Sequence, residues 1–382
     1  MLNELPPLSL YIHIPWCVKK CPYCDFNSHT RDGALPVASY VKSLIEDLQQ
    51  DAQLAQERQL TSIFFGGGTP SLLPGEAIKD IVDAARDVLG FAKNIEITLE
   101  ANPGTVEYSN FAHIRQAGVN RLSMGIQSFN DLQLKKLGRI HDAKQALQAY
   151  QHARDAGFTN INLDLMHGLP AQSIADAERD LLQAIELQPE HISWYQLTIE
   201  ANTEFYSRPP TLPTEDCLLD IFEQGQQILF EHGYQQYETS AYAAAGRQSQ
   251  HNLNYWRFGD YLAIGAGAHG KISLKGDRQI MRYQKTRLPE HYMSPERAYT
   301  CSEKYVSQEE LPLEFAMNAL RLKAGVGFDT FCKRTGLPLS SIDRPLANCR
   351  SKGLIETSEH TFVTTELGYR FLNSVLNEFM DP

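Results

Sequence analysis

Three cysteines stand close together in WCVKKCPYCDF (16–26): Cys17, Cys21 and Cys24. Thiols so closely spaced suit one of three chemistries. A zinc site would need a fourth ligand, with His13 and His29 at hand, although structural zinc usually draws paired knuckles from separate segments. A dithiol redox pair would use Cys21 and Cys24 and leave Cys17 without a role. An iron–sulfur cluster normally takes four thiolates; with three, one iron keeps an open coordination position for a small molecule. The next alternate position is Phe26, not a fourth cysteine. On the third chemistry, that is what lets a ligand reach the iron.

Whatever the thiols hold must be positioned by the elements around them. The triad follows directly on SLYIHIP (9–15), a short run rich in β-branched and aromatic residues. Similar runs closed by Gly, Pro or Asn follow in TSIFFGG (61–67), EITLEAN (96–102), RLSMGIQS (121–128), INLDLMHGLP (161–170) and HISWYQLTIE (191–200). Amphipathic stretches such as VASYVKSLIEDLQQDAQ (37–53) and DAERDLLQAIEL (176–187) lie between them. The alternation predicts βα units on a parallel sheet. Six units fall short of the eight of a closed barrel. The expected fold class is therefore α/β, an open, partial (β/α)6 barrel, with an ordinary doubly wound sheet as the alternative.

In such folds ligands gather at the carboxyl ends of the strands. There FFGGGTP places Gly66, Gly67 and Gly68, whose backbone a ligand can approach without a Cβ in the way; a tight strand-to-helix turn is the plainer reading. Three further strands end on polar groups, Glu100, Gln127 and Asp164, each of which alone would pass for a solvated side chain. Arg139, in KKLGRIHD, has the fork that pairs with a carboxylate.

CxxxCxxC in this setting resembles the signature of the radical S-adenosylmethionine (SAM) superfamily. The resemblance implies a [4Fe-4S] cluster on Cys17, Cys21 and Cys24 with SAM on the open iron, and it likens the glycine segment to the one that holds the amino group of SAM. More narrowly, LSLYIHIPWCVKKCPYCDFNSH, FFGGGTPSLL, EANPGTV, NRLSMGIQSF and INLDLMHGLP are similar to one branch of that superfamily. It holds oxygen-independent coproporphyrinogen III dehydrogenase and its heme-chaperone paralogues. In that branch the first SAM contacts match Tyr11, Gly67 and Glu100, and the remaining SAM-pocket positions match Tyr23, Gly68, Thr69, Gln127, Arg139 and Asp164.

Three departures favour the chaperone side. The decarboxylating enzyme carries CxxxCxxCxC, where this chain has Phe26; it has a longer segment before the cluster, where this chain has 16 residues before Cys17; and HNLNYW (251–256) matches the HNxxYW motif of the chaperones. The resemblance implies heme bound there, with His251 as ligand and Tyr255 as a second candidate. Taken bare, His251 is an ordinary hydrogen-bonded histidine, and YWRFGDYLAIGAGAHG reads equally as a core strand and turn whose His269 and glycines line a pocket floor. The function expected is a heme chaperone carrying the cluster and SAM. The alternative is the dehydrogenase, which makes protoporphyrinogen IX by radical oxidative decarboxylation. Implied partners are heme and apo-hemoprotein acceptors, and both peripheral membrane association and dimerisation are compatible with that role.

The rest of the chain sets bounds. After residue 200 the βα rhythm fails: a loop at 207–214, a helix at 215–233 and a strand at 234–244. From about Leu311 a smaller winged-helix-like unit is expected, with helices at 312–322, 327–336 and 342–353, a strand pair in 354–365 and a last helix at 366–380. The expected organisation is a radical SAM core over 1–240, a heme-motif and connecting region over 241–310, and a C-terminal module over 311–382. With 35 Lys and Arg against 46 Asp and Glu, the net charge of −11 argues against a broad nucleic-acid surface and against an RNA-modifying role. The opening residues carry no basic start with a long apolar run, and no apolar stretch is long enough to span a membrane, so the expected compartment is the cytoplasm. Disulfides rarely persist there, and Cys217, Cys301, Cys332 and Cys349 read as ordinary thiols.

Overall fold

Side chains alternate across a strand, and six parallel strands use that alternation to separate an oily face from a polar one. The strands are β1 (Leu8–Ile14), β2 (Leu60–Gly67), β3 (Phe91–Ala101), β4 (Arg121–Gln127), β5 (Ile161–His167) and β6 (His191–Gln196). The structure, a computed structural model, describes residues 4–30, 33–104, 110–276, 279–358 and 360–380. Thr105 and Val106 of EANPGTV, and Glu359 within the expected strand pair, lie outside these. Leu10, Ile12, Ile63, Phe65, Leu99, Leu122, Leu163 and Ile192 face outward into one large apolar core. The helices that cover it include α1 (Val37–Asp51), α2 (Gly75–Leu89), α3 (Ala143–Asp155), α4 (Ile174–Glu186) and α5 (Glu215–Glu231). Capping boxes start two of them: Asp142 with Gln145 opens α3, and Ser173 with Asp176 opens α4.

The intervening positions, Ser9, Tyr11 and His13 on β1, Ser62 and Phe64 on β2, Glu96 and Glu100 on β3, and Ser123, Asn162 and Asp164 beyond, make a polar inner face. Its lower half is filled by a short helix, α6 (Gln250–Trp256). Glu96 accepts from the backbone N–H of Gln250 and of His251, both at 3.1 Å, so a carboxylate meets the open amides of the helix start. Asn254 Nδ2 donates to Ser9 Oγ at 2.9 Å, and Ser62 Oγ lies 2.9 Å from His251 Nδ1.

The sheet continues on both sides with β7 (Gln235–Glu238), β8 (Ala241–Ala243), β9 (Asp260–Ile264), β10 (His269–Leu274), β11 (Gln279–Lys285) and β12 (Thr300–Tyr305). The order is β12-β11-β10-β9-β1-β2-β3-β4-β5-β6-β8-β7. β9 lies parallel to β1, and β10 to β12 follow antiparallel. The order has two ends, so the partial barrel is open. Several bounds differ from the sequence expectation. β5 and β6 stop at His167 and Gln196, and the strand expected at 234–244 is a hairpin of two. The stretch expected as a heme-motif and connecting region, 241–310, carries five strands of the sheet, β8 to β12. It was hard to read because Lys271 and Lys285 interrupt its apolar alternation, yet both are buried.

Lys285 explains how. Its Nζ meets Asp47 Oδ1 at 2.6 Å, Asp51 Oδ2 at 2.8 Å and Thr300 Oγ1 at 3.1 Å, while Tyr292 donates to Asp47 at 2.5 Å. These contacts join α1 to β11 and hold the outer strands to the barrel. Burial still pushes Asp47 up to about 6, against the pull of Lys285. Lys285→Ala leaves two buried carboxylates facing each other, and urea unfolding is expected to show a loss of about 3–5 kcal/mol.

A second core lies among α7 (Leu311–Ala319), α8 (Phe328–Thr335) and α9 (Asp343–Ser351), around Phe315, Phe331, Phe362 and Phe379. Phe258 and Ile280 enter it from the sheet side. Thr361–Phe362 pairs with Val326–Gly327, and Ile355 bridges Thr364. The last helix is broken at Phe371 into Glu366–Arg370 and Leu372–Asn377. Among the described residues no helix is long and apolar enough to cross a membrane.

Candidate functional site

The carboxyl ends of β1 to β6 open into a cavity of about 290 Å³. Cys17, Cys21 and Cys24 line it, as do Tyr23, Gly67, Gly68, Thr69, Glu100, Gln127, Arg139 and Asp164. Parallel strands deliver their ends to one rim, so residues far apart in the chain converge there. The loop after β1 is sewn to the loop after β2: Gly68 N–H donates to Ile14 O at 2.7 Å and Thr69 N–H to Trp16 O at 2.8 Å. Gly67 has φ +110°, and a Cβ there would stand 2.5 Å from the His13 ring, so no other residue fits.

All three cysteines are free thiols. Burial pushes Cys17 and Cys24 up, so a metal that takes them as thiolates releases protons on loading. Arg139 donates to Cys21 Sγ at 3.7 Å and, through Nη2, to Asn102 Oδ1 and Gly125 O at 2.6 Å each. Its buried Nε has no partner among the described residues. Among those residues no three His, Cys, Asp or Glu side chains converge on a single metal ion. An iron–sulfur cube asks for something else, since its thiolates hold different irons, and three soft donors around one cavity with a spare guanidinium N–H suit that group beside an anionic ligand.

Opposite the thiols stand two carboxylates. Glu100 accepts from Gly67 N–H at 3.1 Å, and burial, then the nearby Asp164, push it up to about 8. Asp164 is also raised by burial, opposed by hydrogen bonds from Asn162 at 2.8 Å and Ser123 at 2.9 Å. A cation placed between them would relieve both. Gln127 sits at φ +71°, a left-handed conformation that a non-glycine residue rarely takes, and accepts from Tyr195 Oη at 2.7 Å. Sequence reasoning missed Asn102, Ser123, Gly125 and Tyr195, which also line this cavity. Counting back by two from the strand end would have found Ser123 and Gly125.

A second cavity of about 530 Å³ adjoins the first and shares Phe26, Gly67 and Glu100 with it. Tyr11 lines this one and not the first, together with Tyr255, Tyr261, His13, His269 and Arg287. His251 lines neither. It is buried beneath, with Nδ1 at 2.9 Å from Ser62 Oγ, Nε2 at 2.8 Å from Tyr255 Oη and its ring stacked 5.1 Å from that of Phe64. Burial, then the charge of Arg121, push it down to about 3, so it is neutral with both ring nitrogens engaged. The structure thus brings Tyr255 to a cavity wall and leaves His251 behind it.

Residues 11–184 match the model of the radical SAM superfamily, and 306–371 that of the HemN C-terminal domain. The chain is 52% identical over 377 residues to the heme chaperone HemW of Escherichia coli, covering 99% of each. It is 35% identical over 381 residues to the heme chaperone HemW of Bacillus subtilis, covering 97% of this chain and 99% of that one. Among solved structures it is similar to coproporphyrinogen III oxidase (HemN) from Escherichia coli, with a TM-score of 0.82 and 24% identity, covering 98% of this chain and 90% of that one. That likeness is one of fold: the same open barrel and C-terminal module. By residues 11–184 the chain belongs to the radical SAM superfamily and, by its sequence over nearly its whole length, to the HemW family within it.

Proposed function

We propose that the protein is a heme chaperone: it takes up heme and passes it to apo-hemoproteins, respiratory ones first, in the cytoplasm. What carries this reading is the end-to-end match to relatives named heme chaperone HemW. The [4Fe-4S] cluster belongs on Cys17, Cys21 and Cys24. SAM belongs beside it, its amino group donating to Glu100, with Tyr23, Gly68, Thr69, Gln127, Arg139 and Asp164 around it and Tyr11 lining the neighbouring cavity that shares Gly67 and Glu100. When bound, the cluster supplies an electron and an open iron. The chain's own residues hold the ligand against it and keep the cargo one wall away: the second cavity, within the size of cofactor sites, presents aromatic faces on which a macrocycle can pack.

The same reading separates this protein from its enzymatic paralogue. Anaerobically reconstituted protein is expected to take up about one heme per chain in a spectroscopic titration and to give no sustained porphyrin product from coproporphyrinogen III with SAM and reductant. Steady accumulation of that product, without heme uptake, would make it the dehydrogenase instead.

A further inference from the structure

Granting that heme is the cargo, the two cavities pose a question of which side chain holds its iron. Two histidines line the second cavity, His13 and His269. His13 is spoken for, with Nδ1 at 3.0 Å from Tyr11 Oη and Nε2 at 2.9 Å from Asn27 O. Tyr255 is held by His251, and Tyr261 accepts from Arg282 at 2.9 Å. Among the described residues no cysteine or methionine lines this cavity. His269 is exposed at the start of β10, and its ring makes no hydrogen bond with any described residue.

The turn that presents His269 is not loose. Tyr40 Oη accepts from Ala266 N–H at 2.9 Å and donates to His13 O at 2.8 Å, and Gly265 N–H donates to Tyr292 Oη at 3.0 Å. Gly267 takes φ +81°, and a Cβ there would stand 2.3 Å from Asn27 Nδ2. That amide belongs to the loop of the three cysteines, and it donates to Ala266 O and to Arg287 O, at 2.9 Å each. One side chain of the cysteine loop therefore fixes both the turn before His269 and the backbone of Arg287. Arg287 is exposed on the same cavity and carries the fork that pairs with a carboxylate. Phe26, 60% exposed, forms the wall between this cavity and the thiols.

We propose that His269 is the axial ligand of the heme iron, with Arg287 paired to a propionate and Phe26 against the macrocycle. His251 is a positioning residue: bonded to Ser62 and Tyr255, it sets the tyrosine wall from behind. Asn27 then links the cluster loop to the cargo site, so loading one cavity bears on the shape of the other.

The test is a titration of ferric heme into the full chain and its variants, followed by absorption and electron paramagnetic resonance spectra. His269→Ala is expected to lose the wild-type axial signature and about tenfold or more in affinity, and added imidazole is expected to restore the signature. Arg287→Ala should weaken binding and keep the signature. His251→Gln, whose amide can still bond Ser62 and Tyr255 but ligates iron poorly, should keep it too. A wild-type spectrum in His269→Ala, or its loss in His251→Gln with unchanged circular dichroism, overturns the assignment while leaving the heme reading standing. Absence of heme binding by the wild-type chain overturns both.

Discussion

Replacing Cys17, Cys21 or Cys24 by Ala is expected to abolish iron–sulfur loading and, with it, SAM binding, while the chain stays folded. Among the described residues the three thiols are the whole soft donor set of the first cavity, and the cluster's remaining iron must stay free for its ligand, so no spare thiolate can substitute. The other cysteines sit elsewhere: Cys349 is buried in the second core and Cys301 is exposed on the outermost strand. Folding is expected to survive because Cys21 and Cys24 lie on a loop and Cys17 ends a two-residue pairing with His29–Thr30, all three half-buried, and the apolar core is built from the opposite face of the strands. After anaerobic reconstitution, iron and acid-labile sulfide should fall to background in each variant, with an unchanged far-ultraviolet spectrum. Wild-type iron and sulfide in any one of them would remove that cysteine from the site.

The second large effect belongs to Glu100. Its folded value of about 8 lies above the ordinary 4.5, so the folded chain holds a proton that the unfolded chain has lost. That carboxyl's stabilising contribution is complete below about pH 4.5 and disappears as pH rises through about 8, at about 1.4 kcal/mol per unit. An empty cavity is thus least comfortable where SAM should bind best. An amino group that donates to the carboxylate favours its ionised form and expels the proton, so SAM affinity is expected to climb from about pH 6 to about pH 8 and then level off. Glu100→Gln should flatten that profile, weaken SAM by about a hundredfold at the upper end, and raise the melting temperature of the unloaded protein there. Calorimetric titration and thermal melts at several pH values read both. An unchanged pH profile in Glu100→Gln would show that another group meets the cation.

The open conformation of the site has a structural logic. The polar inner row of β1 to β3 is satisfied by α6, which brings its own amides, an asparagine and a histidine into the lower barrel. Without that plug, Ser9 and Ser62 would keep only each other, at 2.7 Å, and the buried Glu96 would lose the amide and hydroxyl donors of the helix start, at a cost of about 1–3 kcal/mol or more. HNLNYW is therefore at least a structural motif. The upper half of the barrel, above the plug, is what remains free for ligands.

The sequence by itself determined the chemistry of the first cavity. The three thiols come from one short segment, and Gly67, Glu100 and Gln127 each close a strand or stand just before its end; Asp164, expected at a strand end, lies midway along β5 because that strand runs on to His167. A parallel βα order brings such ends together wherever the intervening helices fall. Only the tertiary structure decided the second cavity. It is assembled from β1, the cysteine loop, α6 and the segments around His269 and Arg287, more than two hundred residues away along the chain. Periodicity tells which face of its own strand or helix a side chain takes, but not what lies across from it. For that reason the sequence could mark His251 and His269 alike as imidazoles near a pocket. The partners that occupy one ring and leave the other free, Ser62 and Tyr255, are set by packing between distant segments.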